Sequence, residues 1–170
     1  MIRLQTVRAE DRELLWNILQ KYLYELTQYY PDEMDEHGNY PYGYFDACFT
    51  DPERKALFIY HDETLVGFAL IHPYSAIGHQ PDYTMAEFSI FPPYRRKHYA
   101  VDAAHSIFAT YPGKWEIKYH EKNTGAKKLW TGLAAPYFSM TYHINEAETV
   151  LEFRNDIHPT LSPSENTRNM

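Results

Sequence analysis

The chain is expected to fold as an α/β protein of mixed α+β character, with a central twisted mixed β-sheet of about seven strands flanked by helices. Three observations lead there. Short apolar or alternating runs, the strand signature, are interspersed with longer runs whose apolar residues recur at helical spacing. Their order is β-α-loop-β-β-β-α-β-α-β-β, which suits a mixed sheet with helices packed on it. The 170 residues, 44% hydrophobic and 16% aromatic, suffice for one domain with a core.

Each element has its own signal. Ile2, Leu4 and Thr6-Val7 alternate with polar residues and form a first strand. Asp11 is the expected N-cap of a helix over 12–29, with Leu15, Ile18, Leu19, Tyr22 and Leu26 on one face and Pro31 beyond its end. Residues 31–46 are acidic, tyrosine-rich and broken by Pro and Gly, so a loop or short irregular helix is expected. Two readings stay open for this segment: a solvated connector, or a substrate-side lid whose Asp32, Glu33, Asp35 and Glu36 attract an amine. The runs 56–60 and 65–72 form a hairpin around His61-Asp62-Glu63-Thr64, and a third strand covers 83–91. A helix over 97–111 follows, stopped by Pro112-Gly113. Trp115, Ile117 and Tyr119 then alternate with charged residues as a half-buried strand. Asn123 caps a helix that turns Ala126, Leu129, Trp130 and Leu133 inward, and Pro136 closes it. Residues 138–144 and 149–153 make a last hairpin. The domain is set at 1–156. The segment 157–170 holds little to bury and is expected to be disordered.

Composition narrows the function. A net charge of −7 and a pI near 5.7 argue against general nucleic-acid binding. The single cysteine, Cys48, cannot form an internal disulfide, which points to a reducing cytoplasm. The start of the chain has no long apolar stretch, so neither a signal peptide nor a membrane partner is expected. Nine histidines show no His-x-x-x-His spacing, so no metal is expected. Rossmann, P-loop and hydrolase-elbow patterns are missing as well. Against this acidic background, Arg95-Arg96-Lys97-His98-Tyr99-Ala100 is a local knot of positive charge between a strand and a helix start. Free N–H groups at a helix start with arginines beside them suit a phosphate.

Loop, preceding strand and the later Asn123-Thr124-Gly125-Ala126 helix start together resemble the GNAT superfamily of N-acetyltransferases across about 2–154. The family marks its acetyl-coenzyme A site with an Arg/Gln-x-x-Gly-x-Gly/Ala loop, to which 95–100 corresponds. The resemblance implies a GNAT-like fold and acetyl transfer from acetyl-coenzyme A to a primary amine of a small molecule or peptide. It also implies a pantetheine arm paired with main chain near Ile90 and Phe91, and a pyrophosphate on the N–H groups from Arg96 to Ala100 with charge from Arg95 and Arg96. Lys97, His98 and Tyr99 belong to the same loop. Asn123 either caps its helix or touches the pantetheine. Glu87 is the expected general base, and Tyr24, Tyr30 and Tyr44 are candidates for the acceptor side. A homodimer is a further implication. Two departures stand out: His98 replaces the first loop glycine, and Trp130 stands where relatives carry an acidic tyrosine. Both favour an alternative, a non-catalytic GNAT-fold ligand-binding or interaction module.

Overall fold

The computed structural model describes residues 1–157, so the expectation for the tail beyond that point lies outside the described residues. The seven strands are β1 (Ile2–Thr6), β2 (Lys55–His61), β3 (Thr64–His72), β4 (Tyr83–Ile90), β5 (Lys114–His120), β6 (Ser139–His143) and β7 (Glu148–Arg154). They form one sheet in the order β1-β2-β3-β4-β5-β7-β6, antiparallel except for β4 beside β5. The helices are α1 (Arg12–Leu26), α2 (Ala47–Thr50), α3 (Tyr99–Thr110) and α4 (Thr124–Ala134). The expected architecture is the observed one. Among the described residues, no helix is long and apolar enough to cross a membrane.

Strand alternation divides the core in two. Leu57, Ile59, Ala69, Ile71, Trp115 and Ile117 face α3 and α4, where Ala104, Ile107, Phe108 and Trp130 meet them. Ala56, Phe58, Phe68 and Leu70 face the other way and bury Leu15, Ile18 and Leu19 of α1. Residues i and i+2 of a strand share a face, so neighbours on β2 and β3 serve opposite layers.

The helix α1 starts at Arg12 after Asp11, as expected, but its cap chemistry and its far end differ. Asp11 closes a 3-10 turn over Ala9–Asp11 and does not cap the helix with its side chain. Its carboxylate instead meets the Arg8 guanidinium, 3.6 Å away. At the other end the helix stops at Leu26, where the Tyr29 and Tyr30 N–H groups both turn back to the Leu26 carbonyl at 2.9 Å. Asn123 behaves as its type predicts: its Oδ1 accepts from the Ala126 N–H at 3.1 Å.

The segment 31–46 is solvated in its first half, where residues 31–38 are exposed, and packed in its second. Tyr40 and Phe45 are buried in it. The Gln20 side-chain amide of α1 clasps the Tyr40 backbone from both sides, donating to its carbonyl at 2.9 Å and accepting from its N–H at 2.6 Å. Asp35 accepts from the His37 and Asn39 N–H groups, which holds its carboxyl below the usual range. Part of the acidic cluster is thus turn chemistry.

Candidate active site

A cleft opens in the middle of the sheet. β4 and β5 pair only over Tyr83–Met85 and Trp115–Ile117. Beyond that, β4 stays with β3, while β5 pairs with β7 along its whole length. Gly67 lets β3 and β4 approach closely; a Cβ there would lie 2.2 Å from the Ser89 carbonyl oxygen.

A bulge lies beside the central carboxylate. Ile71 pairs with Met85 and Leu70 with Glu87, so Ala86 is an extra residue on β4. Met85, Phe88 and Ile90 all pack on the α3 side. Between them, Ala86 packs on the α1 side, and Glu87 emerges there too, against Tyr22 and Tyr42. The Tyr42 hydroxyl donates to Glu87 Oε1 at 3.4 Å. Burial pushes the Glu87 carboxyl up to about 7, while hydrogen bonding from Tyr22 and Tyr42 and the charge of Lys118 pull in the other direction. Burial and the neighbouring Glu87 raise both phenols well above their ordinary range, so they remain donors.

Of the three candidate acceptor tyrosines, Tyr30 shares this environment. Its phenol is raised by burial, by Glu148 and by Glu87. Its ring meets His120 edge-on at 5.2 Å, with Lys118 Nζ 5.9 Å above it. Lys118 itself pairs with Glu148 at 3.0 Å. Tyr24 is largely exposed and lines a separate shallow groove with Asn17, Lys21 and Tyr40. Tyr44 is equally exposed and lies over Arg54. Tyr42 has a second side, on a groove of about 460 Å³ shared with Arg12, Trp16 and Phe45. That groove flanks the Glu87 site and does not contain it. The roles of Tyr22, Tyr42 and Lys118 escaped sequence reasoning. Lys118 had a signal in the alternation of β5; the two tyrosines meet Glu87 only through long-range packing.

At the other end of β4 lies the basic loop. Phe91 donates its N–H to the Val66 carbonyl at 2.8 Å, so that amide belongs to the β3 ladder. The Ile90 carbonyl accepts from Arg95 Nε at 2.7 Å, and Arg95 Nη2 pairs with Glu25 of α1 at 2.7 Å. Arg95 therefore ties α1 to the end of β4. Arg96 and Lys97 are exposed and make no ion pair among the described residues. Arg96 and His98 both take left-handed backbone angles, φ 60° and 64°. His98 was expected to hold a helical conformation; it stands instead at the N-cap of α3 in a geometry that glycine adopts most easily. Tyr99 stacks on His61 at 4.3 Å, and Ala100 lies in the first turn. The N–H groups of that first turn have no acceptor within the helix. Across the cleft, Trp130 packs edge-on to Phe88 at 5.0 Å, and Tyr137 stacks on Phe153.

These features can be set beside known proteins. The model of the acetyltransferase (GNAT) family matches residues 15–133. The chain belongs to that family. Among solved structures it is similar to an acetyltransferase from Thermus thermophilus, at 15% identity over 89% of this chain and 96% of that one, TM-score 0.65. It is similar to the PaiA N-acetyltransferase of Thermoplasma acidophilum in complex with coenzyme A, at 13% identity over 91% and 99% of the chains, TM-score 0.56. The diaminobutyrate acetyltransferase EctA of Paenibacillus lautus, in complex with L-2,4-diaminobutyric acid and coenzyme A, matches at 13% identity over 94% and 98%, TM-score 0.57. At such identities the likeness is one of fold. A sequence comparison with curated proteins gives no match.

Proposed function

We propose that this GNAT acetyltransferase moves an acetyl group from acetyl-coenzyme A to a primary amine, with Glu87 as general base. The observation that carries the reading is Glu87 itself, held against Tyr22 and Tyr42 on the strand that borders the cleft and pushed up to about 7. A base with a pKa near neutrality is ionised often enough to act and basic enough to take an ammonium proton. The coenzyme fits the residues present. The first-turn amides of α3, the left-handed Arg96 and His98, and the Arg96 and Lys97 charges, unpaired among the described residues, suit a pyrophosphate. Past Met85 and Ile117, β4 and β5 no longer pair, which leaves strand backbone for an extended arm to pair with. When bound, the coenzyme supplies a thioester carbonyl carbon to which the amine nitrogen bonds as the carbon–sulfur bond breaks. Glu87 Oε accepts the proton the nitrogen loses. Tyr22 and Tyr42 fix its carboxylate in place. Trp130 is no proton donor of the tyrosine kind, so solvent protonates the leaving thiolate.

Calorimetric titration with acetyl-coenzyme A, coenzyme A and a dinucleotide control tests the cofactor half. Selective micromolar binding, followed by thiol release on addition of amines, is the expected result. Left-handed His98 and the indole at 130 favour the non-catalytic module, which would bind without releasing thiol in the presence of any amine.

A further inference from the structure

Arg54 has no role in the chemistry above, and its surroundings are unusual. Its side chain is only 11% exposed. Its guanidinium lies over the Tyr44 ring at 4.9 Å and the Tyr74 ring at 5.0 Å. Asp51 Oδ2 is 3.4 Å from Nε, yet Nε has no hydrogen-bond partner and is the one buried side-chain polar atom in that condition among the described residues. Asp51 forms an ion pair with Arg54 and also accepts from the Tyr74 hydroxyl at 2.7 Å and the Glu53 N–H at 2.9 Å. Aromatic rings that stack on a guanidinium take its faces and leave its in-plane N–H edge, the edge that binds an oxyanion in two-pronged fashion.

The register places this cation on the Glu87 side of the sheet. Ala56 and Phe58 of β2 face α1, and Arg54 continues their parity. Phe68 and Leu70 of β3 face α1 as well, and His72 continues theirs. Lys55 pairs with Ile71 and Leu70 with Glu87. Arg54 therefore sits two strands across and about two residues along from Glu87, roughly 12 Å between Cα atoms from strand spacing and rise. Tyr42 lies between the two, its hydroxyl on Glu87 and its phenol within reach of the Arg54 charge. His72 Nδ1 accepts from the Tyr74 N–H at 3.1 Å, which leaves its proton on Nε2 as another neutral donor. Tyr42 and Cys48 feel both charges, that of Arg54 and that of Glu87.

We infer that the acceptor of this acetyltransferase is an amine that also carries an oxyanion, a carboxylate foremost, with Arg54 gripping the anion while Glu87 receives the amine. This rests on the function proposed above. The test uses pairs of primary amines of equal length, each an ω-amino acid and its plain n-alkylamine, with ω-aminophosphonates alongside. Thiol release gives kcat/KM for every member. The readout is the ratio within a pair, which a merely structural role for Arg54 would not move. The wild-type ratio should favour the amino acid by about 10- to 100-fold at the best length. It should fall towards one in Arg54→Gln and recover in part in Arg54→Lys. A wild-type ratio of one or below overturns the inference and leaves the acetyltransferase reading standing. A preference that survives in Arg54→Gln also overturns it, because another group then reads the anion. Should coenzyme bind and no amine release thiol, the function itself falls and this inference with it. Should Arg54→Gln fail to fold, Arg54→Lys decides: a ratio unchanged from the wild type overturns the inference.

Discussion

The loop that leads from β4 into α3 and the segment that leads from α1 into β2 are built on different principles. In the first, the proposed coenzyme site, residues 91–98 take a short path into α3, and the groups offered to a ligand are mainly backbone N–H and exposed cations. In the second, the proposed acceptor site, the 28 residues from Thr27 to Arg54 wander between α1 and β2 with one short helix, and the groups on offer are side chains: Tyr30, Tyr42, Tyr44 and Arg54. Backbone recognition constrains the chain's conformation and says little about residue type. Side-chain recognition does the reverse. The loop into α3 should thus tolerate sequence change and resist backbone change, and the segment into β2 should change its ligand with a single substitution.

The sharpest test of that contrast is Glu87→Gln. Turnover should drop by about 10²- to 10⁴-fold with coenzyme affinity intact, checked by thiol release and calorimetry on the same sample. The wild-type kcat/KM should rise with pH through an acidic limb near 7, and the variant should lack it. Stability carries the same signature. Because the folded carboxyl is raised from its ordinary 4.5 to about 7, the folded state binds more protons between those values. Stability therefore falls as pH climbs through that window. Denaturation midpoints of Glu87→Gln should be flatter there.

Charge reversal at Arg96 or Lys97 comes next, weakening coenzyme binding by about tenfold each, and less in high salt. Equal affinity in the folded variants would break the comparison by moving the pyrophosphate elsewhere. Tyr42→Phe should do less. Losing the donor to Glu87 pushes that carboxyl further up, so the acidic limb shifts to higher pH, with a few-fold loss of turnover near neutrality. The smallest effect is expected of His98→Gly. A left-handed non-glycine residue costs about 1–2 kcal/mol, partly offset by the entropy glycine loses on folding. The variant should be more stable by up to about 1 kcal/mol, a rise in Tm of about 2–4 °C, and should bind coenzyme at least as well. A fall in Tm would show that the imidazole contributes more than its backbone costs.

Residues whose partners are close in sequence were the legible ones. Asn123 announced its cap, His61 to Thr64 their turn, and Trp115, Ile117 and Tyr119 their face, because each signal is complete within a few residues. Glu87 could be named as a candidate, but its two tyrosine partners come from 65 and 45 residues away. Arg54 carried no local signal at all; its meaning comes from a register shared with Ala56, Phe58 and His72. Asp11 marked the start of α1 correctly, but its side chain makes no cap hydrogen bond because it serves the 3-10 turn before the helix. His98 misled because side-chain type alone does not reveal a left-handed φ, although histidine enters that region more readily than most.

Ala86 bears on how this cleft can be varied. The sheet counts in twos, and Ala86 is a beat too many. Up to Met85 the odd positions face α3; from Phe88 onward the even ones do. A chain without Ala86 keeps Met85, Glu87, Phe88 and Ile90 on their present faces, since the alternation becomes regular. What it loses is the kink. The bend of β4 and the base's address are therefore written in separate places, and one codon suffices to edit the first without moving the second to another face.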